Sequence, residues 1–446
     1  MRRLTVLLAS LFLVPAGAAQ AQTAVDKAAR AVSADVIRAH IDFLASDALE
    51  GRGAGTRGGD LAARYIAAQF IRLGLEPAGD DSTYFFKVPV VSFTPEPTLA
   101  LGAAELAYPT DFVLGPMRWD SLVTIDAPLV FVGYGIVAPE YGWDDYAGLD
   151  VKGKVVAVMV NDPGLHDSTT FKGKVLTYYA RWTYKYEEAA RQGAAGVLLI
   201  HTTESATYPW AVVEGSSSGL QVRLETAPTS LLVAGWVQQA AMANAFKGAG
   251  KELSEEMSRA GRKGFVGYEL PTRVVASVRA PMTRTATYNV LGRLPGTGGP
   301  LAAEVVVLGA HYDHLGVGKP VDGDSIYNGA RDNAAGVGEM LAIAEAMNRT
   351  EFAGKRSIVF AAFGGEESGL LGSQAMINRP FMPLRNVAAM LNFDGANLFG
   401  RARDIAATGS DQSSLLGAMQ AAARLEGLRV TEDSAGMFRG SFFRSD

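Results

Sequence analysis

Three apolar runs, each closely followed by charged residues, limit what this chain can fold into more than any other feature. "EVVVLGA" leads into His311 and Asp313, "RSIVFAAF" into Glu366 and Glu367, and "VAAMLNF" into Asp394. Between the first two lies "RDNAAGVGEMLAIAEAMN", helical in its apolar spacing, with Asp332 near its start. Apolar strands alternating with amphipathic helices argue for βαβ units. The expected fold class is α/β, with a mixed, mostly parallel sheet and helices on both faces. In such a sheet, ligands bind in the crevice beyond the carboxyl ends of the strands. The charged residues at those ends are therefore expected to meet in one place.

Their chemistry follows from spacing. If extended geometry continues past residue 310, His311 and Asp313 point to the same side. Asp313 would then accept a hydrogen bond from the imidazole and fix its tautomer. On the same assumption His314 faces away and is a bystander. Asp332, beside Asn333 and Gly336, is either a helix cap or a carboxylate placed to bridge two ions. Glu366 and Glu367 are adjacent, so one can bind metal while the other handles a proton. Taken singly, such glutamates are ordinary solvated surface. Gathered in one crevice, several carboxylates carry a large electrostatic cost unless cations are present. The chain has no cysteine, so any metal site must use His, Asp and Glu. That donor set suits zinc in a hydrolytic setting, or harder ions such as manganese and magnesium.

At the N-terminus, "MRRLTVLLASLFLVPAGAAQAQT" has the form of a secretory signal over residues 1–21. Arg2 and Arg3 precede a short apolar stretch, and Ala19-Gln20-Ala21 offers a cleavage site. The apolar run is too short to span a bilayer. A secreted or periplasmic protein is expected, without stable membrane insertion once the signal is removed. The net charge of −5 and the lack of a basic stripe give no footprint for nucleic acid. "GRGAGTRGG" contains Gly53-x-Gly55-x-x-Gly58, but a helical pattern precedes it, so a flexible turn is expected rather than a dinucleotide site. Residues 122–275 have a different texture, with short β-rich runs around one helical stretch, "KYEEAARQGAAG". They are read as an inserted module between residues 22–121 and 276–446. His40 is read as packing or surface, and His166 and His201 as non-ligands.

"GAHYDHLG", "GARDNAAGVGEML", "AAFGGEESGLLGS" and "LNFDGANL" resemble, in order, the motifs of the co-catalytic zinc exopeptidases. That family includes secreted bacterial leucyl aminopeptidases and aminopeptidase Y. "HIDFLASDALEGRGAGT" is similar to the family's opening, and the insert resembles its β-rich protease-associated domain. The resemblance implies two zinc ions and peptide or protein substrates. It implies that His311 binds one zinc with Asp394 alongside, that Asp332 bridges both, and that Glu367 binds the other. Glu366 would be the general base, and Asp313 would orient His311. The family's last ligand is a histidine after a Ser-Asp pair, and here "GSFFRSD" closes the sequence at Asp446. A truncated peptidase domain is therefore expected, the alternative being a protein that lacks this fifth ligand; with the sequence as it stands, a weakly held second zinc is expected, and little activity unless metal is in excess. Two alternatives remain open: a glutaminyl-cyclase-like zinc acyl transferase, and a non-catalytic binding protein like the transferrin receptor. Oligomeric state and residue preference are not legible.

Overall fold

The computed structural model describes residues 16–225, 229–397, 400–406, 408–431 and 433–446. Most of the expected signal segment, residues 1–15, lies outside these. Residues 16–21 fall in the helix Ala16–Ala31. Among the described residues, no helix is long and apolar enough to cross a membrane.

The first sheet has seven strands. Its path runs Gln221–Leu224, Phe85–Phe93, Met282–Leu294, Ser357–Phe363, Val305–His311, Val387–Asn392, with the short strand Glu76–Pro77 beside Met282–Leu294. The expected alternation is present where it matters. Val305–His311 lies next to the edge strand Val387–Asn392 and pairs in parallel with both neighbours. The helix Ala335–Arg349 joins it to Ser357–Phe363 as a βαβ unit. The parallel share is smaller than expected, because the remaining pairings of this sheet are antiparallel. Those strands come from segments whose partners lie far along the chain, and local apolar pattern says nothing of their direction.

Both faces of Val305–His311 and Ser357–Phe363 are covered, which explains why these two strands read as unbroken apolar runs. Leu308, Ala310, Phe360 and Ala362 point into one core with Leu44, Ile66, Phe70, Val337 and Leu341. Their strand neighbours Val305, Val307, Val359, Ala361 and Phe363 point into the other, with Leu371 and Met376. The helix Ala335–Arg349 lies close to the helix Ala34–Leu44, since a Cβ on Gly338 would be 3.1 Å from the Ile37 carbonyl oxygen. "GRGAGTRGG" is not a loose turn. Leu49, Gly51, Arg52 and Gly53 are buried, and a side chain on Gly51 would strike the carbonyls of Gly316 and Tyr327.

A second sheet of eight strands lies between Glu96 and Arg279. Four strands at its centre are parallel: Leu122–Phe131, Val155–Met159, Gly196–His201 and Val233–Gln238. Its strands begin well before residue 122, where the inserted module was expected to start. One strand from within that stretch, Gln221–Leu224, crosses to the first sheet instead. "EPTLAL" and "FVLGP" carry no local mark of which sheet they join, because membership is set by pairing at long range.

Candidate metal centre

The candidate residues gather at the carboxyl ends of the three parallel strands. His311 is the last residue of its strand, Glu366 and Glu367 follow Ser357–Phe363, and Asp394 follows Val387–Asn392. Asp332 sits in the turn before the helix Ala335–Arg349, with extended backbone angles (φ −117°, ψ 95°). His311 Nε2 lies 3.1 Å from Asp332 Oδ1 and 3.4 Å from Asp394 Oδ1. These three residues offer ligand atoms within 4.8 Å of one another.

A second group of the same kind contains His314, Asp332 and Glu367. His314 Nδ1 is 2.5 Å from Glu367 Oε1. This corrects the expectation that His314 faces away. The strand ends at His311, so alternation does not carry on to residue 314. The His314 N–H bonds to the Arg52 carbonyl instead, at 3.3 Å.

The role expected for the Asp313 carboxylate is also corrected. It is buried beside His311, but its Oδ1 stands 3.9 Å from Nδ1, beyond hydrogen-bond reach. His311 Nδ1 bonds to the main-chain oxygen of Asp313, at 3.2 Å. The carboxylate accepts the main-chain N–H groups of Glu366 and Glu367. Asn333, fully buried, ties the remaining loops together. Its Oδ1 accepts from Gly336 and Gly395, and its Nδ2 donates to the Phe393 carbonyl. The Asp332 turn and the Asp394 loop are thereby held at a fixed separation.

Electrostatics show what the crevice lacks. Among the described residues, no lysine or arginine pairs with Asp313, Asp332, Glu366, Glu367 or Asp394; their ion-pair partners are His311 and His314 alone. Burial pushes Glu366 up to about 9, with Asp446, Asp313 and Glu367 adding repulsion and His311 opposing. Burial would lower His311, but its bonds to Asp332 and Asp394 and the fields of Asp313 and Glu366 reverse this and raise it to about 12. The same burial raises Asp394, and its bonds from His311 and Ser445 more than offset that. The crevice thus demands positive charge, and its oxygen and imidazole donors are those that divalent zinc accepts. The residues fit a metal centre.

A mixed sheet with helices on both faces, and two imidazole–carboxylate groups that share Asp332, is the arrangement of a zinc-exopeptidase fold with a candidate metal centre. Residues 289–446 match the model of Peptidase family M28. The whole chain is similar in fold to the "Aminopeptidase from Aneurinibacillus sp. strain AM-1", with a TM-score of 0.51 and 20% identity over 93% of this chain and 84% of that one. In sequence it is 34% identical over 129 residues to "Leucine aminopeptidase 1" of Arthroderma gypseum, covering 27% of this chain and 32% of that protein. It is 40% identical over 86 residues to a "Probable zinc metalloprotease" of Pyrenophora tritici-repentis, covering 19% of each. The chain thus spans about a third or less of the length of these curated relatives.

Proposed function

We propose that this chain is a secreted zinc-dependent aminopeptidase, which hydrolyses N-terminal residues from peptides. One observation carries the reading: the two donor groups share Asp332, with the half-buried Glu366 next to Glu367 of the second group. His311, Asp332 and Asp394 would hold one cation. Asp332 and Glu367 would hold the other, with His314 within reach as a third donor. When bound, such cations polarise the scissile carbonyl and lower the pKa of the attacking water.

The chain's own residues handle the protons. Glu366 takes one from the water as it adds to the carbonyl carbon, then delivers it to the amine as the C–N bond breaks. Asp313 holds the main chain of Glu366 and so sets where that carboxylate stands. We read the second sheet as the protease-associated module, flanking the path of the substrate. Support comes from its Leu176–Tyr178 segment, which meets residues near the centre: the Leu176 N–H bonds to the Met437 carbonyl at 3.2 Å, and Tyr178 packs on Phe443.

The test is hydrolysis of aminoacyl anilides by the zinc-loaded protein. Activity should vanish with a chelator and in Glu366→Gln, the latter still binding zinc. Pyroglutamate formation from N-terminal glutamine without anilide hydrolysis would favour the cyclase reading. Full activity in Glu366→Gln would remove the general base from the mechanism.

A further inference from the structure

Arg52 is fully buried, yet none of its nitrogens pairs with a carboxylate. Its guanidinium donates instead to four main-chain carbonyls. Nε bonds to Tyr312 at 2.7 Å, Nη1 to Leu44 at 2.5 Å and Asn328 at 2.6 Å, and Nη2 to Gly329 at 2.9 Å. One side chain therefore joins three segments. These are the end of the helix Ala34–Leu44, the His311–His314 stretch, and the turn leading into Asp332.

Burying a guanidinium without an ion pair is expensive. Here its planar fork of donors offsets the cost, and a lysine could not reproduce that geometry. Burial draws the group down to about 10, while the fields of Asp313, Asp332 and Glu367 push back, so it stays charged at neutral pH. The packing is close on every side. A Cβ on Gly329, itself at φ +59°, would be 2.7 Å from Arg52 Nη2 and 2.6 Å from His314 Cγ. The same turn has a second tie to the same corner, since Asn328 Nδ2 donates to the Ala45 carbonyl at 2.9 Å and to Asp47 Oδ1 at 2.8 Å.

We propose that Arg52 is a positioning residue of the metal centre. Its fork sets the distance between the His311–His314 stretch and the Asp332 turn, so that both donor groups close on a shared Asp332. The proposal rests on the cation-binding reading above. It assigns no contact between Arg52 and either cation or substrate.

Zinc affinity separates this role from ordinary core packing. The full chain and its Arg52→Lys, Arg52→Met and Asn328→Ala variants are titrated with zinc against a chromophoric chelator, with folding followed by circular dichroism. Arg52→Lys keeps the charge and loses the fork. It should bind zinc roughly tenfold to a hundredfold more weakly, as other supports of metal ligands do when lost. Asn328→Ala should shift affinity less, in the same direction. In the cobalt-loaded protein, both variants should alter the visible spectrum. Wild-type zinc affinity in folded Arg52→Lys, with only the thermal midpoint lowered, would overturn the proposal. If the Arg52 variants do not fold, unchanged affinity in folded Asn328→Ala overturns it instead. A wild-type chain that binds no zinc at all would sink the underlying metal reading, a distinct result.

Discussion

The Asp313 carboxylate accepts the main-chain N–H of Glu366 at 3.0 Å. Its other oxygen accepts that of Glu367 at 3.3 Å. One buried side chain thus aims two adjacent glutamates that have separate tasks. Asp313→Asn leaves a single acceptor oxygen and turns an NH2 group towards an N–H donor. Zinc affinity and kcat should each fall about tenfold to a hundredfold, with the far-UV spectrum unchanged. Titration and steady-state kinetics check this, and wild-type values for both would show that the glutamate loop holds itself.

His314 lies with Asp332 and Glu367 in the second donor group. His314→Ala should weaken binding of one zinc per chain and leave the other, held through His311, near its wild-type affinity. Equilibrium dialysis with elemental analysis reads the two steps separately. Equal loss of both, or of neither, would contradict the assignment of His314 to one group.

The Leu49–Gly59 corner leaves no space for side chains at several of its glycines. A Cβ on Gly58 would sit well inside 3.0 Å of the Leu49 carbonyl oxygen. Alanine would gain about 1 kcal/mol of helix propensity, but overpacking costs ~1–3 kcal/mol or more, and backbone cannot move aside as a side chain does. Gly58→Ala should therefore lower the midpoint of chemical denaturation. A stabilised variant would mean that the corner yields easily.

His40 is buried, with Nδ1 bonded to the Tyr65 hydroxyl at 2.8 Å and no partner for Nε2. Burial, and then Arg72, hold its pKa below 6.5, with Glu345 opposing weakly. Protonation is therefore harder in the fold than in the unfolded chain. The stability that His40 contributes is complete above pH 6.5 and is lost as pH falls through its folded value. His40→Gln should lose less thermal stability than wild type between about pH 8 and about pH 5. Equal losses would remove His40 as an acid-labile point.

How far the sequence speaks for itself differs between residues. The placement of His311, Glu367 and Asp394 at strand ends, and of Asp332 before a helix, is legible because each stands next to a strong local signal, an apolar run or a helix start. His314 is misread because alternation is extended past the end of its strand, where Arg52 takes over the main-chain bonds. Arg52 itself is hidden in a glycine-rich stretch that resembles a loose turn. Most of its acceptors lie 260 to 277 residues away, and no local pattern reports them. The second sheet begins before its expected boundary for a related reason: short strands such as Glu96–Leu101 are assigned by distant partners rather than by their own composition.

Two cations sharing Asp332 would be visible in crystals grown with zinc and measured at the zinc absorption edge. Two anomalous peaks per chain are expected, one among His311, Asp332 and Asp394 and one among Asp332, Glu367 and His314. Anomalous density absent from both places, in a protein that still hydrolyses peptides, would contradict that sharing.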